Sequence, residues 1–123
     1  MSDLVEIVDR YIDMWNETDP VKRRILIGRI WSERATYVDP LMESVGQAGI
    51  DAMVAGMQER FPGLRIRRTS EIDVHHDRVR FGWELGPEGG PAVARGVDFG
   101  VLSADQRLET MTGFIDHAPG MMS

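Results

Sequence analysis

A change of pattern at Pro62 and Gly63 constrains the fold of this chain more than any other feature of the sequence. Before these residues, apolar side chains recur at helical spacing in three segments, and after them short strand-like segments alternate with turns that contain glycine or proline. Helices followed by a run of strands favour an α+β fold, in which a curved antiparallel sheet has the helices on one side. We expect a single domain over residues 1–116 and a flexible tail over residues 117–123.

The three predicted helices are defined by their ends and by their apolar positions. The first lies in "SDLVEIVDRYIDMWNETD" and is broken at "NETDP". Asp19 can cap the second helix, with Pro20 at its first position. The third helix follows a loop, "ESVGQAG", and stops at Pro62. The apolar positions are Leu4, Ile7, Val8, Tyr11 and Trp15 in the first helix, Ile25, Leu26, Ile30 and Trp31 in the second, and Ile50, Met53, Val54, Met57 and Phe61 in the third.

One early strand and four later ones complete the predicted secondary structure. Thr36, Tyr37 and Val38 favour a strand, which Pro40 ends. The first two later strands are joined by a short "HHD" turn. The four later strands lie in "LRIRRTSEIDV", "RVRFGWELG", "PAVARGVDFGVL" and "RLETMTGFID".

Composition and charge argue against several classes of function. The net charge of -6 and the pI near 5.0 disfavour nucleic acid or an anionic membrane as the main partner. Without cysteine the chain has no disulfide framework, no Cys-ligated zinc and no thiol nucleophile. His75 and His76, with Asp77, favour an exposed turn over a metal site. The acidic stretch "MSDLVEIVDR" does not fit a signal peptide, and no segment reaches membrane-spanning length, so we expect a cytoplasmic protein.

Two aspartates stand in sequence contexts that suggest a cavity. Asp39 follows an apolar strand and precedes a proline, so it either caps a turn or faces a pocket. Asp98 lies in a strand with Gly96 and Gly100 on either side, and these glycines make sense where space must be left for another group. We therefore expect Asp98 to point into a cavity.

Three segments, in this order, resemble ketosteroid isomerase, which belongs to a superfamily of cone-shaped α+β barrels with nuclear transport factor 2 and the SnoaL-type polyketide cyclases. "RYIDMWNETD" resembles the first-helix segment that holds the isomerase's oxyanion tyrosine, which falls on Tyr11. "ATYVDP" resembles the segment of its general base, which falls on Asp39. "VARGVDFGVL" resembles the strand of its protonated acid, which falls on Asp98. The resemblance extends along nearly the whole chain and implies a cone-shaped barrel.

The resemblance implies a small, cofactor-independent enzyme, an isomerase or a cyclase-like enzyme, that transfers a proton at an apolar carbonyl substrate in a deep pocket. Asp39 would be the base, and Tyr11 and Asp98 would donate to the carbonyl oxygen. The isomerase has a second tyrosine that supports its oxyanion tyrosine, and the position of this second tyrosine falls on Val54 in this chain. The residues expected to contact the substrate are Trp15, Tyr37, Val54, Met57 and Trp83.

The residues themselves also allow other interpretations. Asp39 could serve only as an Asx turn before proline, and Tyr11 could be a core tyrosine with a satisfied hydroxyl. The same fold could be a non-catalytic module that binds a small ligand or a protein. A cavity blocked by Met53, Met57 or Trp83 would favour that alternative.

The face of the Asp98 strand that points away from Asp98 predicts an interface. It carries Val93, Val97, Phe99 and Val101, and nothing in the remaining sequence is long enough to cover it. An exposed apolar face of this kind usually marks an interface, and a two-fold pairing covers it with one self-complementary contact. We therefore expect a homodimer with Phe99 in its interface.

Overall fold

A computed structural model of the chain describes residues 2–118, with side chains from Leu4 onward. Three helices, α1 (Ser2–Asn16), α2 (Pro20–Ile30) and α3 (Gly46–Arg60), pack against one seven-stranded sheet. The predicted cap of α2 is present, because Oδ1 of Asp19 accepts hydrogen bonds from the N–H groups of Val21 at 2.9 Å and Lys22 at 3.2 Å. α3 ends at Arg60 and has Phe61 as its C-cap, directly before the predicted break at Pro62 and Gly63.

The predicted apolar face of α1 packs into the core. Leu4, Val8, Tyr11 and Trp15 are all buried, and Ile7 packs against them from the edge of the core. This burial fixes the rotation of α1 about its axis. Tyr11 is consequently directed toward the sheet.

The predicted apolar side of α2 is wrong at two positions. Ile25 is 50% exposed, whereas Ile27 is buried beside Ile30. Trp31 is fully buried, but it begins the first strand and does not belong to the helix. A short helix with few apolar residues allows more than one inward face, so its periodicity alone does not decide between them.

The inward side of α2 also carries a buried charge. Nε of Arg23 donates to Oδ1 of Asp51 on α3 at 2.7 Å. Nη1 of Arg23 donates to the backbone oxygen of Glu17 at 2.9 Å and to Oε1 of Gln58 at 3.3 Å. Paired and hydrogen-bonded in this way, the guanidinium ties α2 to α3 and to the connection that follows α1, without leaving an uncompensated charge.

The strands form a strongly curled half-barrel, which confirms the predicted α+β fold. Their order in the sheet is β2-β1-β7-β6-β5-β3, and β4 pairs with β5 beyond the end of β3. β1 and β7 pair in parallel, while every other pair among the described residues is antiparallel. The sheet is therefore mixed where a purely antiparallel one was predicted. The strands are β1 (Trp31–Val38), β2 (Glu43–Val45), β3 (Leu64–Arg68), β4 (Asp73–His75), β5 (Arg78–Pro87), β6 (Ala94–Leu102) and β7 (Leu108–His117).

Three segments differ from their predicted structure. The predicted loop "ESVGQAG" forms β2 and the first turn of α3. The segment "LRIRRTSEIDV" divides into β3 and β4, and both pair with β5. β7 extends to His117, one residue past the expected end of the domain, and Ala118 is buried with Leu85 and Ala94. Residues 119–123 of the expected tail lie outside the described residues.

The two faces of β6 differ as the sequence predicts. Every residue of the face that carries Asp98 is buried, from Ala94 to Leu102. On the other face, Phe99 is 37% exposed and Val93, just before the strand, is 41% exposed. Phe114 of β7, which lies opposite Val97 in the sheet, adds a side chain that is 56% exposed. The outer face of the sheet is thus an exposed apolar surface.

Candidate active site

A mostly apolar cavity with a volume of about 40 Å³ lies inside the half-barrel. Its walls come from α1, α3 and five of the strands, together with the turn that follows β1. Most of the lining is apolar, and two carboxyl groups, Asp39 and Asp98, face it. The predicted site residues that line the cavity are Trp15, Tyr37, Asp39, Met57, Trp83 and Asp98.

Two predicted site residues do not line the cavity. Val54 is fully buried in the core, so it is removed from the expected substrate contacts. Met57, one helical turn further along α3, faces the cavity in its place. Tyr11 is also buried and lies behind Asp98, so its hydroxyl reaches the cavity only through that carboxyl group.

Tyr11 and Asp98 form a buried hydrogen bond between α1 and β6. The Tyr11 hydroxyl donates to Oδ2 of Asp98 at 2.7 Å. The Tyr11 ring packs at ring-centroid distances of 5.8 to 6.4 Å from Phe81, Trp31 and Trp15. An aromatic cage of this kind holds the phenol in one orientation, so the hydroxyl is fixed on the carboxyl group.

Trp83 supplies a second donor to the same carboxyl group. Its indole Nε1–H donates to Oδ1 of Asp98 at 2.9 Å. Trp83 lies directly opposite Gly96 in the sheet, and a Cβ atom at Gly96 would approach Cζ2 of the indole to 2.5 Å. The glycine predicted to leave space for another group therefore leaves it for the indole that binds Asp98.

The surroundings of Asp98 shift its ionisation toward neutral pH. Burial raises the pKa of Asp98 to about 7, the hydrogen bonds from Tyr11 and Trp83 oppose this rise, and the charge of Asp39 adds to it. Near neutral pH this carboxyl group is consequently present in both its protonated and its ionised form. Burial and the nearby Asp98 charge also raise the pKa of Tyr11 and of Tyr37, so both phenols remain donors.

Asp39 both caps a turn and faces the cavity, so the two interpretations of its sequence context are compatible. Its Oδ1 accepts hydrogen bonds from the N–H groups of Leu41 at 2.8 Å and Met42 at 3.0 Å. Its Oδ2 accepts a hydrogen bond from the Tyr37 hydroxyl at 2.7 Å. Three donors therefore hold this carboxylate in place at the edge of the cavity.

Gly113 is a functional candidate that the sequence analysis missed. It lies opposite Asp98 in the sheet. A Cβ atom at Gly113 would lie 3.0 Å from Oδ1 of Asp98, 3.1 Å from Cβ of Asp39 and 3.2 Å from the Tyr37 hydroxyl. The two carboxyl groups and the phenol thus meet above this one glycine. The available signal was a glycine inside the predicted strand "RLETMTGFID", a position that often marks the close approach of another group.

The remaining candidates lie away from this cavity. His75 and His76 are exposed at the turn between β4 and β5, with their Nδ1 atoms 3.2 Å apart. In residues 2–118 no group of three or more His, Asp or Glu side chains is placed to hold a metal ion. None of the helices in this range is both long enough and apolar enough to span a membrane.

Comparison with known proteins identifies the family. Residues 8–110 match the model of the SnoaL-like domain, so the chain belongs to the SnoaL-like family. A candidate isomerase of this family from Agrobacterium tumefaciens is 39% identical in sequence, with 94% of this chain and 99% of that chain aligned and a TM-score of 0.89. The search of curated proteins returned no match.

More distant structures share the fold. A candidate SnoaL-like polyketide cyclase from Jannaschia sp. is 21% identical, over 94% of this chain and 86% of that one, with a TM-score of 0.74. A protein from Catenulispora acidiphila with a ketosteroid isomerase-like fold, solved in complex with trimethylamine, is 18% identical over 88% and 83% of the two chains, with a TM-score of 0.72. At these identities the similarity concerns the fold alone.

Proposed function

We propose that the chain is a cofactor-independent enzyme that transfers a proton at the carbon next to the carbonyl group of a small apolar substrate. The reaction would be an isomerisation or a cyclase-like aldol step. Asp39 acts as the base, and Asp98, in its protonated form, donates a hydrogen bond to the carbonyl oxygen.

One observation carries this proposal: two carboxyl groups in unlike surroundings face the same apolar cavity. Asp39 lies at the edge of the cavity, where three hydrogen bonds hold its carboxyl group in place. Asp98 is buried, and its pKa is raised to about 7 mainly for that reason. A buried acid that can keep its proton, beside a second acid held at the edge of the same cavity, suits a donor and a base that act together.

The proposed proton transfer balances within the substrate and the two acids. Asp39 takes a proton from the carbon, and the electron pair of the broken C–H bond moves to the carbonyl oxygen, where the proton of Asp98 stabilises the enolate. For isomerisation, Asp39 returns the proton to another carbon of the conjugated system. For aldol chemistry, the enolate carbon attacks a second carbonyl group, and the resulting alkoxide takes up the proton that Asp39 removed from the carbon, which restores the base.

Tyr11 acts in this proposal as a positioning residue rather than as a direct donor to the substrate. Its hydroxyl is occupied by Asp98 and is buried behind it. Trp83 holds the other oxygen of Asp98. Together the two donors fix the plane of the carboxyl group relative to the cavity, and a fixed donor needs no reorganisation when charge develops on the substrate.

The test is the isomerisation of a β,γ-unsaturated cyclohexenone to its conjugated isomer, followed by ultraviolet absorbance. Asp39→Asn should abolish the reaction, because no base remains. Asp98→Asn, which keeps a donor, should retain more activity than Asp98→Ala. Asp116→Asn on β7, an exposed site outside the cavity lining, is the matched control and should behave as the unaltered protein. A reaction that persists in Asp39→Asn would contradict the assigned base.

The pH dependence tests the roles of the two acids separately. If Asp98 must be protonated, kcat/KM falls as the pH rises through about 7, the pKa of Asp98. If Asp98 is instead the base, kcat/KM rises through the same range.

A non-catalytic small-ligand-binding or protein-interaction module is the second candidate, and the small size of the cavity favours its protein-interaction form. The volume of about 40 Å³ is well below the range of roughly 300–1,000 Å³ that is usual for ligand sites. Met57 and Trp83 are both part of its lining. Ligand binding without exchange of the ligand's α-hydrogens in D₂O would support this candidate against the enzyme.

We also propose a homodimer formed through the outer face of the sheet. Its apolar side chains include Val93, Phe99 and Phe114, which are all exposed in the single chain. Arg95 on β6 and Glu84 on β5, which lie opposite each other in the sheet, add both signs of charge to this face. A patch with both charges around an apolar centre can match its own copy across a two-fold axis.

A further inference from the structure

The cavity provides space for only part of a typical substrate. At about 40 Å³, it holds a small polar head group with a few neighbouring atoms. A larger substrate therefore needs a second site for the rest of its atoms, continuous with the first.

A second concave surface lies directly beside the cavity. This surface, which we call the α3 groove, has a volume of about 820 Å³. Leu41, Met42 and Met57 line both the cavity and the groove, so these three side chains form the wall between them. The groove continues along α3 and β2 over Ser44, Gly49, Ala52, Met53, Gly56 and Phe61.

The wall can open through side-chain movement alone. Two of its three residues are methionines, whose unbranched side chains have several rotatable bonds and adapt to irregular shapes. Met57 is only partly buried, and so is Met42. The turn that carries Leu41 and Met42 is held by the Asp39 carboxylate, so the backbone of the wall stays fixed relative to the proposed base.

The lining of the groove selects for hydrocarbon. Small and apolar residues recur along one face of α3 from Gly49 to Phe61, a distance of roughly 18 Å along the helix axis. The hydroxyl of Ser44, the neutral polar side chain in the lining, donates to Sδ of Met53 at 3.6 Å. Charged side chains lie at the two ends of the groove, Glu43 on β2 beside Met42, and Glu59 and Arg60 at the last turn of α3.

We infer that the α3 groove is a subsite for an alkyl tail of the substrate whose carbonyl head group enters the cavity between Met42 and Met57. This inference rests on the proposed function for the nature of the head group. It specifies the substrate class as a carbonyl compound with an extended, flexible hydrocarbon chain. The tail lies along α3, and its far end reaches the charged last turn.

Gly56 allows the groove to be filled without change to the cavity. It lines the groove but not the cavity, and a Cβ atom at this position would meet no other atom within 4 Å. Gly56→Phe therefore places a ring in the groove. Gly28→Phe on α2 is the matched control, since a Cβ atom at Gly28 also has open space and Gly28 does not line the groove. Ala52→Phe is a second groove variant, in case one substitution prevents folding.

The experiment measures the affinity of the full chain for acetone, methyl hexyl ketone and methyl octyl ketone, by NMR titration of the Trp83 indole N–H. We expect the unaltered protein and Gly28→Phe to bind more tightly by roughly threefold per added methylene group. We expect Gly56→Phe and Ala52→Phe to bind methyl octyl ketone at least tenfold more weakly, with acetone unaffected. An affinity that is independent of chain length in the unaltered protein, or one that keeps its full chain-length dependence in both groove variants, would overturn the inference.

Straight-chain alcohols of the same lengths separate this inference from the proposed function. If ketones bind no better than alcohols and the cyclohexenone is not isomerised, the carbonyl chemistry fails. The groove is then judged by the alcohols alone. If the affinity for alcohols rises with chain length and Gly56→Phe and Ala52→Phe remove this rise, the tail subsite is supported. If both variants keep the rise, the tail subsite is overturned.

Discussion

The hydroxyl of Tyr11 lies 2.7 Å from Oδ2 of Asp98, although 87 residues separate the two along the chain. The contact joins the first helix to the centre of the sheet. Since Asp98 also accepts the indole N–H of Trp83, both of its oxygens are bonded inside the protein. Among the described residues, no buried side-chain oxygen or nitrogen lacks a partner, so this polar cluster is fully satisfied.

The first prediction concerns the influence of Tyr11 on the ionisation of Asp98. The hydrogen bond from Tyr11 lowers the pKa of Asp98 and so opposes the effect of burial. Tyr11→Phe should therefore raise this pKa above about 7, as measured by NMR titration of the carboxyl carbon. Tyr37→Phe removes an equivalent hydroxyl from Asp39 and should leave the titration of Asp98 nearly unchanged. Equal shifts in the two variants would contradict a specific role for Tyr11.

The second prediction concerns stability and pH. The pKa of Asp98 is about 7 in the folded protein against 3.8 for an unperturbed aspartate, so between these values the folded state binds more protons than the unfolded state. Ionisation of Asp98 thus destabilises the fold progressively as the pH rises from about 4 to 7. Asp98→Asn lacks this titration. The stability of Asp98→Asn relative to the unaltered protein should increase over that range by a few kcal/mol, at about 1.4 kcal/mol per pKa unit.

Urea unfolding at several pH values measures this difference. The comparison removes the contributions of the other carboxyl groups, which both proteins share. A constant difference between the two proteins from pH 4 to pH 8 would show that the pKa of Asp98 is not raised by folding.

Much of the fold and part of the site could be predicted from local patterns. Leu4, Val8 and Tyr11 share one face of a helix, and Asp98 shares a strand face with small residues, so each pattern alone indicates which way its side chains point. The contact between Tyr11 and Asp98 could be predicted only from the resemblance to ketosteroid isomerase, because no local pattern specifies a contact between segments so far apart.

The missed features depend on contacts between distant segments. The parallel pairing of β1 with β7 brings Gly113 beside Tyr37 and Asp39, and neither strand carries a signal for its partner. Val54 occupies the position expected for a supporting tyrosine but packs in the core, whereas Met57, about one turn further along the same side of α3, lines the cavity. Periodicity defines a face of a helix and does not define what that face contacts.

The third prediction concerns Gly96, which leaves space for the Trp83 indole. A Cβ atom at this position would lie 2.0 Å from the backbone oxygen of Phe114 and 2.5 Å from the indole, and the backbone oxygen cannot move without disturbing β7. Gly96→Ala should therefore destabilise the protein by on the order of 3 kcal/mol. Gly28→Ala, where the Cβ atom has open space on a helix, should instead stabilise it by up to about 1 kcal/mol. Thermal unfolding of both variants checks the contrast.

The fourth prediction concerns Gly113 and activity. An added methyl group there would contact Asp98, Asp39 and Tyr37 at 3.0 to 3.2 Å, which is tighter than an ordinary van der Waals contact but can be relieved by small movements. Gly113→Ala should consequently remain folded, with a loss of roughly 2 kcal/mol of stability or less. Its kcat for the cyclohexenone should fall by about a hundredfold, because displacement of catalytic groups by a fraction of an ångström to one ångström is costly. Full activity in this variant would place the chemistry elsewhere.

The last prediction concerns assembly through the outer face of the sheet. Phe99 and Phe114 are 37% and 56% exposed and lie on neighbouring strands, so a second copy that packs against them would bury two aromatic rings from each chain. Phe114→Asp and Phe99→Asp should each convert a dimer into a monomer, because each would bury an unpaired charge in an apolar interface. Val21→Asp, at an exposed apolar position on α2 away from the sheet, should leave the dimer intact. Sedimentation equilibrium at micromolar concentration measures all four proteins, and a monomer for the unaltered chain would contradict the predicted interface.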